Sequence, residues 1–253
     1  MALVTTPAIV LSALRYGETS KIVRLATREH GVQSAIAKGA LRPRSRFGAA
    51  LQLLSEGQAQ YLAKEHRELH ILTAFDLQQL HVALAAELPR YATASALAEV
   101  MLRFAPADPH PESYDLFRTA LTELEHVPVE QVDALGFRLL WHLVSALGFA
   151  PSLETCVRDG TLLPEHGDLP FSTREGGALC PACAAAHGAA RLPAEARQDL
   201  AALLDEHAAL PALDPRHATA HRRLLARYIR YHLGEGAELP ALDFWLRRPW
   251  VAA

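Results

Sequence analysis

The feature that most constrains the fold is a change of hydrophobic period near Leu80. Before it, short runs rich in β-branched residues alternate with a period of two, which is typical of strands. The predicted strands are residues 8–14, 21–27, 32–37, 51–54 together with 58–62, and 69–75. After it, apolar residues recur at helical spacing. The sequence therefore predicts an α+β chain with a strand domain over 1–80 and a helical domain over 81–253.

Five short strands joined by glycine-containing turns are typical of a small barrel. The five-stranded architecture that fits this count best is the OB-fold. Strand count alone does not separate it from an SH3-like barrel, so both stay open at this point.

The helical domain is interrupted once. Predicted helices cover residues 88–104, 112–125, 129–147, 193–210 and 215–234. Between them, residues 150–190 are rich in glycine, proline and polar residues and have no strong period. All three cysteines of the chain lie in this stretch.

A basic loop, residues 38–48, follows the third predicted strand. Gly39, Pro43 and Gly48 exclude regular structure there. A flexible basic loop on a small β-domain suggests a grip on a phosphate backbone, with an aromatic residue free to stack on a base. The candidates for that role are Lys38, Arg42, Arg44, Arg46 and Phe47. The alternative is a solvated connection whose charge has no function.

The distribution of charge supports a basic first domain. The whole chain carries a net charge of −3, which argues against a generally basic coat. Residues 1–80, however, contain ten Lys and Arg against six Asp and Glu. Positive charge is thus concentrated where the barrel is predicted.

The cysteines indicate a metal site more than a disulfide framework, because they are odd in number and clustered. Cys180 and Cys183 form a C-x-x-C pair, and Cys156 lies upstream at zinc-ribbon spacing with Asp159 in place of a fourth cysteine. Carboxylate oxygen is an accepted zinc ligand. Either these four residues bind Zn²⁺, with His166 and His187 as substitutes, or the ribbon is degenerate and metal-free.

Other function classes find little support in the sequence. No phosphate-loop, nucleophile-elbow or paired-histidine metalloprotease pattern is present. The chain shows neither a signal peptide nor an apolar run long enough to span a bilayer, so we expect a cytoplasmic protein that does not contact membranes. Arg222, Arg223, Arg227 and Arg230 make one helix basic, which solvation explains, although an acidic partner or DNA is the alternative.

The order of several segments resembles the RecO family of bacterial recombination mediators. The segments are RYGETSK at 15–21, TREHG at 27–31, KGALR at 38–42, LGFAPSL at 147–153, GGALCPAC at 176–183 and LLARYIRYHLG at 224–234. The resemblance covers nearly the whole chain. It departs at Asp159, where zinc-binding members carry cysteine.

The resemblance implies an N-terminal OB-fold, an α-helical body and a zinc-ribbon-like insertion. It also implies a role in DNA repair and homologous recombination: binding single- and double-stranded DNA, annealing complementary strands, and helping to load recombinase onto strands coated by single-strand-binding protein. The implied partners are RecR and the acidic, apolar-ended C-terminal tail of single-strand-binding protein.

The predicted mechanism is binding and not bond-making, so we do not expect an enzyme. Phosphates would pair with the four cations of the basic loop, and further candidates are Arg15, Lys21 and Arg24. Two alternatives stay open. One is a protein–protein adaptor whose barrel does not bind DNA, and the other is a zinc hydrolase or thiol oxidoreductase.

Overall fold

The chain divides into two compact units, Met1–Glu125 and His126–Ala253. The computed structural model describes residues 2–63, 67–234, 236 and 238–250. The first unit contains a β-barrel and three helices, and the second contains a small sheet and the remaining helices.

The barrel of the first unit has five strands. They are β1 (Ala2–Tyr16), β2 (Ser20–Thr27), β3 (Gly31–Ala37), β4 (Glu56–Ala63) and β5 (Leu69–Gln79). The strand order is β1-β2-β3-β5-β4, and β1 closes the ring by pairing with both β2 and β4. Only the β3–β5 pair is parallel. This closed Greek-key arrangement confirms the OB-fold.

β1 is longer than predicted because it serves two neighbours. Its first half pairs with β4 and its second half with β2. An irregularity between Val10 and Ser12 shifts the register, as a β-bulge does. A strand that must bend from one partner to the next needs this length, whereas the apolar pattern alone marks only its buried middle.

The predicted strand segment at residues 51–54 was wrong. These residues form a turn between the basic loop and β4, and Leu54 has a positive φ of 68°. Leu51 is apolar because its side chain, 1% exposed, fills the barrel core. Burial without strand geometry produced the same apolar signal as a strand.

Three helices complete the first unit. They are α1 (Val82–Ala86), α2 (Leu88–Phe104) and α3 (Pro111–His126). Helix α3 is tied to the barrel by two ion pairs. Arg28 binds Asp115 with two N–O distances of 2.9 Å, and Arg118 lies 2.5 Å from Glu56. Gly31 allows the approach of the loop before α3, since a Cβ there would lie 2.4 Å from the carbonyl oxygen of Asp108.

The second unit contains five helices and three short strands among its described residues. The helices are α4 (Val132–Ala146), α5 (Pro181–His187), α6 (Ala194–Leu204), α7 (Pro215–His232) and α8 (Pro240–Arg247). Helix α6 ends earlier than predicted, at Leu204. Helix α7 begins where predicted, because Asp214 accepts the backbone N–H groups of Arg216 and His217 at 2.8 Å.

An arginine is buried in the helical core of this unit. The guanidinium of Arg222 lies 5.0 Å from the ring centres of both Phe137 and Trp245. Asp133 balances its charge at 2.6 Å and also pairs with Arg248 at 2.7 Å. Arg222 is therefore a core residue, and it does not belong to the basic side of α7.

The predicted insertion forms the small sheet. Its strands are β6 (Leu169–Ser172), β7 (Gly177–Ala178) and β8 (Ala190–Leu192), in the order β7-β6-β8. This sheet and the short helix α5 hold the cysteine-containing turns described below. No helix within the described part of the chain is long and apolar enough to cross a membrane.

Candidate nucleic-acid interface and metal centre

The basic loop, residues 38–48, is a chain of tight turns. Backbone N–H groups of Arg42, Ser45 and Gly48 each bond a carbonyl three residues earlier, at 3.0–3.1 Å. A bond to a distant segment also holds the loop: the N–H of Leu41 donates to the carbonyl of Thr19, in the β1–β2 turn, at 2.8 Å. The loop is thus ordered and lies against that turn.

The four cations predicted for this loop all face solvent. Lys38, Arg42, Arg44 and Arg46 are exposed. None of them forms an ion pair with another residue that the structure describes. Four uncompensated positive charges within nine residues produce a local positive potential that attracts phosphate.

Phe47 does not have the accessible ring expected of a stacking residue. Its side chain is 2% exposed and belongs to the barrel core, together with Leu51 and Tyr61. Burying a phenylalanine ring stabilises the fold by about 2 kcal/mol or more relative to an exposed ring at a loop tip, so the buried position is favoured. Phe47 is therefore an anchor that holds the loop to the barrel, with the guanidinium of Arg46 5.0 Å above its ring.

The three further candidates differ in their availability. Arg15 is exposed, and its Nε donates to the carbonyl of Gly17 at 3.2 Å. Lys21 is half-buried, and its ammonium donates to the carbonyl of Leu51 at 2.9 Å. One of its hydrogen-bond donors is therefore used within the protein and is not available to a phosphate. Arg24 lies on the outer face of β2, and its Nε is buried without a hydrogen-bond partner in the described structure.

Sequence reasoning missed one exposed aromatic next to the loop. Tyr16, which lies beyond the predicted first strand at residues 8–14, is the last residue of β1 and is 53% exposed. The signal that could have found it is the alternation of Leu14 and Tyr16, which continues the period of two past the apolar core of the strand.

The predicted metal ligands come together in the insertion. Cys156, Asp159, Cys180 and Cys183 each offer a ligand atom, and these four atoms all lie within 4.8 Å of one another. Cys156 and Asp159 lie on a turn closed by the bond from the Gly160 N–H to the Cys156 carbonyl, at 2.9 Å. Cys180 is the N-cap of α5, and Cys183 lies in its first turn.

Asp159 lies at the centre of the cluster. Its Oδ2 is 3.3 Å from the sulfur of Cys180 and 3.2 Å from that of Cys183. Hydrogen bonds from the Thr161 backbone and from the thiols hold the pKa of this carboxyl well below its usual range. The same carboxylate, as a hydrogen-bond acceptor, raises the pKa of the Cys183 thiol to about 12.

The pKa of the Cys156 thiol is shifted in the opposite direction from that of Cys183 and is lowered. Burial raises the pKa of its thiol, but hydrogen bonds from the backbone N–H groups of Cys180, Arg158 and Asp159 lower it further than burial raises it. Backbone donors that favour a thiolate also favour a metal ligand.

The cluster could hold a metal ion, and its chemistry is compatible with zinc. Three sulfurs and one carboxylate oxygen within 4.8 Å suit tetrahedral coordination at bond lengths of about 2.0–2.3 Å. The two histidines considered as substitutes lie outside the cluster: His187 is 3.3 Å from Arg158, and His166 is exposed.

Comparison with known proteins gives one consistent answer. The family model described as "Recombination protein O N terminal" matches residues 1–81, and "Recombination protein O C terminal" matches residues 85–239. Three curated relatives, each called DNA repair protein RecO, cover most of both chains. The protein from a strain of Anaeromyxobacter dehalogenans is 34% identical, over 89% of this chain and 90% of its own length. The protein from Symbiobacterium thermophilum is 34% identical, over 81% of each chain. The protein from Streptomyces griseus is 31% identical, over 93% of this chain and 96% of its own length.

The matched regions contain the OB-fold barrel, the basic loop and the cysteine cluster, in the order that the sequence resemblance predicted. Family membership assigns the chain a role in DNA repair and recombination. The chain belongs to the RecO family.

Proposed function

We propose that this protein binds single- and double-stranded DNA through the basic loop of its barrel and anneals complementary strands. The observation that carries the proposal is the loop itself. It presents four exposed cations, which have no ion-pair partner in the described part of the chain, on a backbone that Phe47 anchors in the barrel core. Contacts of this kind go to phosphate, so binding is independent of base sequence and weakens with salt.

Annealing follows from charge neutralisation. Two complementary strands repel each other through their phosphates, and a protein that binds both lowers this repulsion. Arg15 extends the positive surface to the neighbouring end of β1. In this proposal residues 1–80 bind DNA, and residues 81–253 form the helical domain that carries the 150–190 insertion.

The finer biological role rests on family membership. The protein helps to load recombinase onto DNA coated by single-strand-binding protein, and it acts in the cytoplasm. Its partners are RecR and the C-terminal tail of single-strand-binding protein; a basic-rimmed apolar pocket on the helical domain would suit the acidic residues and apolar end of this tail. Its role is binding and not catalysis.

Zinc is the metal we assign to the cysteine cluster. Four protein ligands complete a tetrahedral site and leave no position for a substrate, which favours a structural role. Cys156 and Asp159 would provide one pair of ligands, and bound zinc would link their turn to the N-terminus of α5. Cys180 and Cys183 would provide the second pair of ligands.

An annealing assay tests the proposal. Two complementary oligonucleotides, one with a fluorophore and one with a quencher, are mixed with the protein at low salt. We expect the wild type to accelerate annealing and the Arg42/Arg44/Arg46→Ala variant to lose about tenfold or more of this acceleration, because three phosphate contacts are removed.

The control variant removes the same charge elsewhere. Arg216, Arg223 and Arg227 are exposed on α7, and their change to alanine is expected to leave annealing unaffected. If the wild type neither binds DNA nor accelerates annealing, yet binds a peptide of the acidic tail, the protein is an adaptor and the proposal is wrong.

A further inference from the structure

The end of β1 presents apolar side chains to solvent. Tyr16 is 53% exposed and Leu14 is 66% exposed. The two side chains lie on one face, because residues two apart in a strand point the same way. Among the described residues, no aromatic ring or guanidinium packs on the ring of Tyr16.

This face is the outside of the barrel. Ala13 pairs with Val23, whose side chain is in the core, so the neighbouring Leu14 points outward. Leu14 is opposite Ile22, and Ile22 is opposite Ile36 on β3. We call this surface the hairpin face; it consists of Leu14, Tyr16, Ile22 and Ile36.

Positive charge surrounds the hairpin face. The bond from Leu41 to Thr19 places the basic loop against the turn that follows Tyr16. Arg24 lies on the outer face beyond Ile22, with its Nε buried and unpartnered in the described structure. Arg15 is exposed but points to the opposite side of β1, because it alternates with Leu14 and Tyr16. An exposed aromatic bordered by cations suits a ligand that is both flat and anionic.

We propose that Tyr16 stacks on a base of single-stranded DNA whose phosphates are held by the basic loop. This inference rests on the proposed function and extends it, because it gives the barrel a preference for unpaired bases. A duplex keeps its bases stacked inside and offers the ring of Tyr16 no partner. A protein ligand without acidic residues fits less well, because the cations around the hairpin face would stay unpaired.

Stacking of this kind is independent of base identity, since every base has a π-face. Tyr16 would thus hold a strand without reading its sequence. Tyr16 would thus be the stacking residue, the role that the sequence analysis gave to the buried Phe47. The unpaired bases beyond it would remain free to find a complementary strand.

The experiment compares three DNA probes by fluorescence anisotropy at fixed salt. They are a 20-nucleotide oligo-dT, an abasic strand of the same length, and a 20-base-pair duplex. We expect Tyr16→Ala to weaken oligo-dT binding by about 5- to 150-fold, the range that corresponds to loss of one base–aromatic stack. Its affinity for the abasic strand and for the duplex should stay within about twofold of the wild type.

Two further variants make the result specific. Tyr16→Phe keeps the ring and should bind oligo-dT like the wild type. Tyr231→Ala removes another exposed tyrosine, on α7, and should change nothing. Circular dichroism checks that each variant is folded, which is expected because the Tyr16 ring is mostly in water.

The inference is overturned if Tyr16→Ala binds oligo-dT as the wild type does, or if it weakens all three probes equally. In either case salt-dependent binding by the wild type would still support the phosphate grip. Absence of binding by the wild type to any probe would contradict both. Binding of an apolar peptide at Tyr16, with unchanged DNA affinity, would assign the face to a protein and overturn the stacking role.

Discussion

Replacing Phe47 with alanine should lower the free energy of unfolding of the first unit by about 3–5 kcal/mol. The ring is 2% exposed and packs in the barrel core with Leu51 and Tyr61. Its removal leaves a cavity at the end of the barrel and releases the anchor of the basic loop. Urea denaturation followed by circular dichroism measures the change, with the two units fitted as separate transitions because a two-unit chain need not unfold in one step.

Tyr16→Ala is the matched control, because it removes an aromatic ring of similar size from the same unit. Since Tyr16 is 53% exposed, we expect a change within about 0.5 kcal/mol. The opposite pattern, in which Phe47→Ala is fully stable but loses affinity for single strands, would mean that Phe47 leaves the core to bind DNA.

Replacing Cys180 with serine should abolish stoichiometric zinc binding. Cys180 is a ligand candidate, caps α5 and is 6% exposed, and its sulfur is one of the four ligand atoms that come together among the described residues. The metal content of protein dialysed against a weak chelator is measured by mass spectrometry. We expect equimolar zinc in the wild type and little in the variant, with a lower melting temperature for the second unit because structural zinc contributes to folding.

Two variants separate this result from general damage. His187→Ala removes a nearby potential ligand that lies outside the cluster and should keep its zinc. Asp159→Cys completes a four-sulfur site and should retain zinc against stronger chelators than the wild type. A wild type that remains metal-free after refolding with zinc would establish the ribbon as degenerate.

The elements that the sequence predicted well are those whose signal is local. Helix α2 was predicted with its observed ends, because Pro89 and the apolar spacing mark it. Cys156, Asp159, Cys180 and Cys183 come together as expected, since a C-x-x-C turn and its upstream partner have a fixed geometry, while metal binding by them stays a prediction. The OB-fold followed from strand count and turns, and strand order then excluded the SH3-like alternative.

The sequence predicted side-chain exposure poorly where tertiary packing determines it. Nothing in residues 38–48 distinguishes an exposed Phe47 from a buried one, because the core that surrounds its ring is provided by the rest of the barrel. The same holds for Lys21, whose ammonium is directed to the carbonyl of Leu51 by barrel closure. Tyr16 was overlooked for the converse reason: its strand continues only because β2 pairs with it.

The most direct test of the account is the salt dependence of single-stranded DNA binding. The affinity for oligo-dT is measured between about 50 and 200 mM salt for the wild type and for Arg42/Arg44/Arg46→Ala. A single strand contributes about 0.7 to the log–log slope for each phosphate contact, so the variant should have a slope shallower by about 2. Over this range the wild type should therefore lose about 15- to 20-fold more affinity than the variant. Equal slopes for the two proteins would contradict the account, because Arg42, Arg44 and Arg46 of the basic loop would then not contact the phosphates of the DNA.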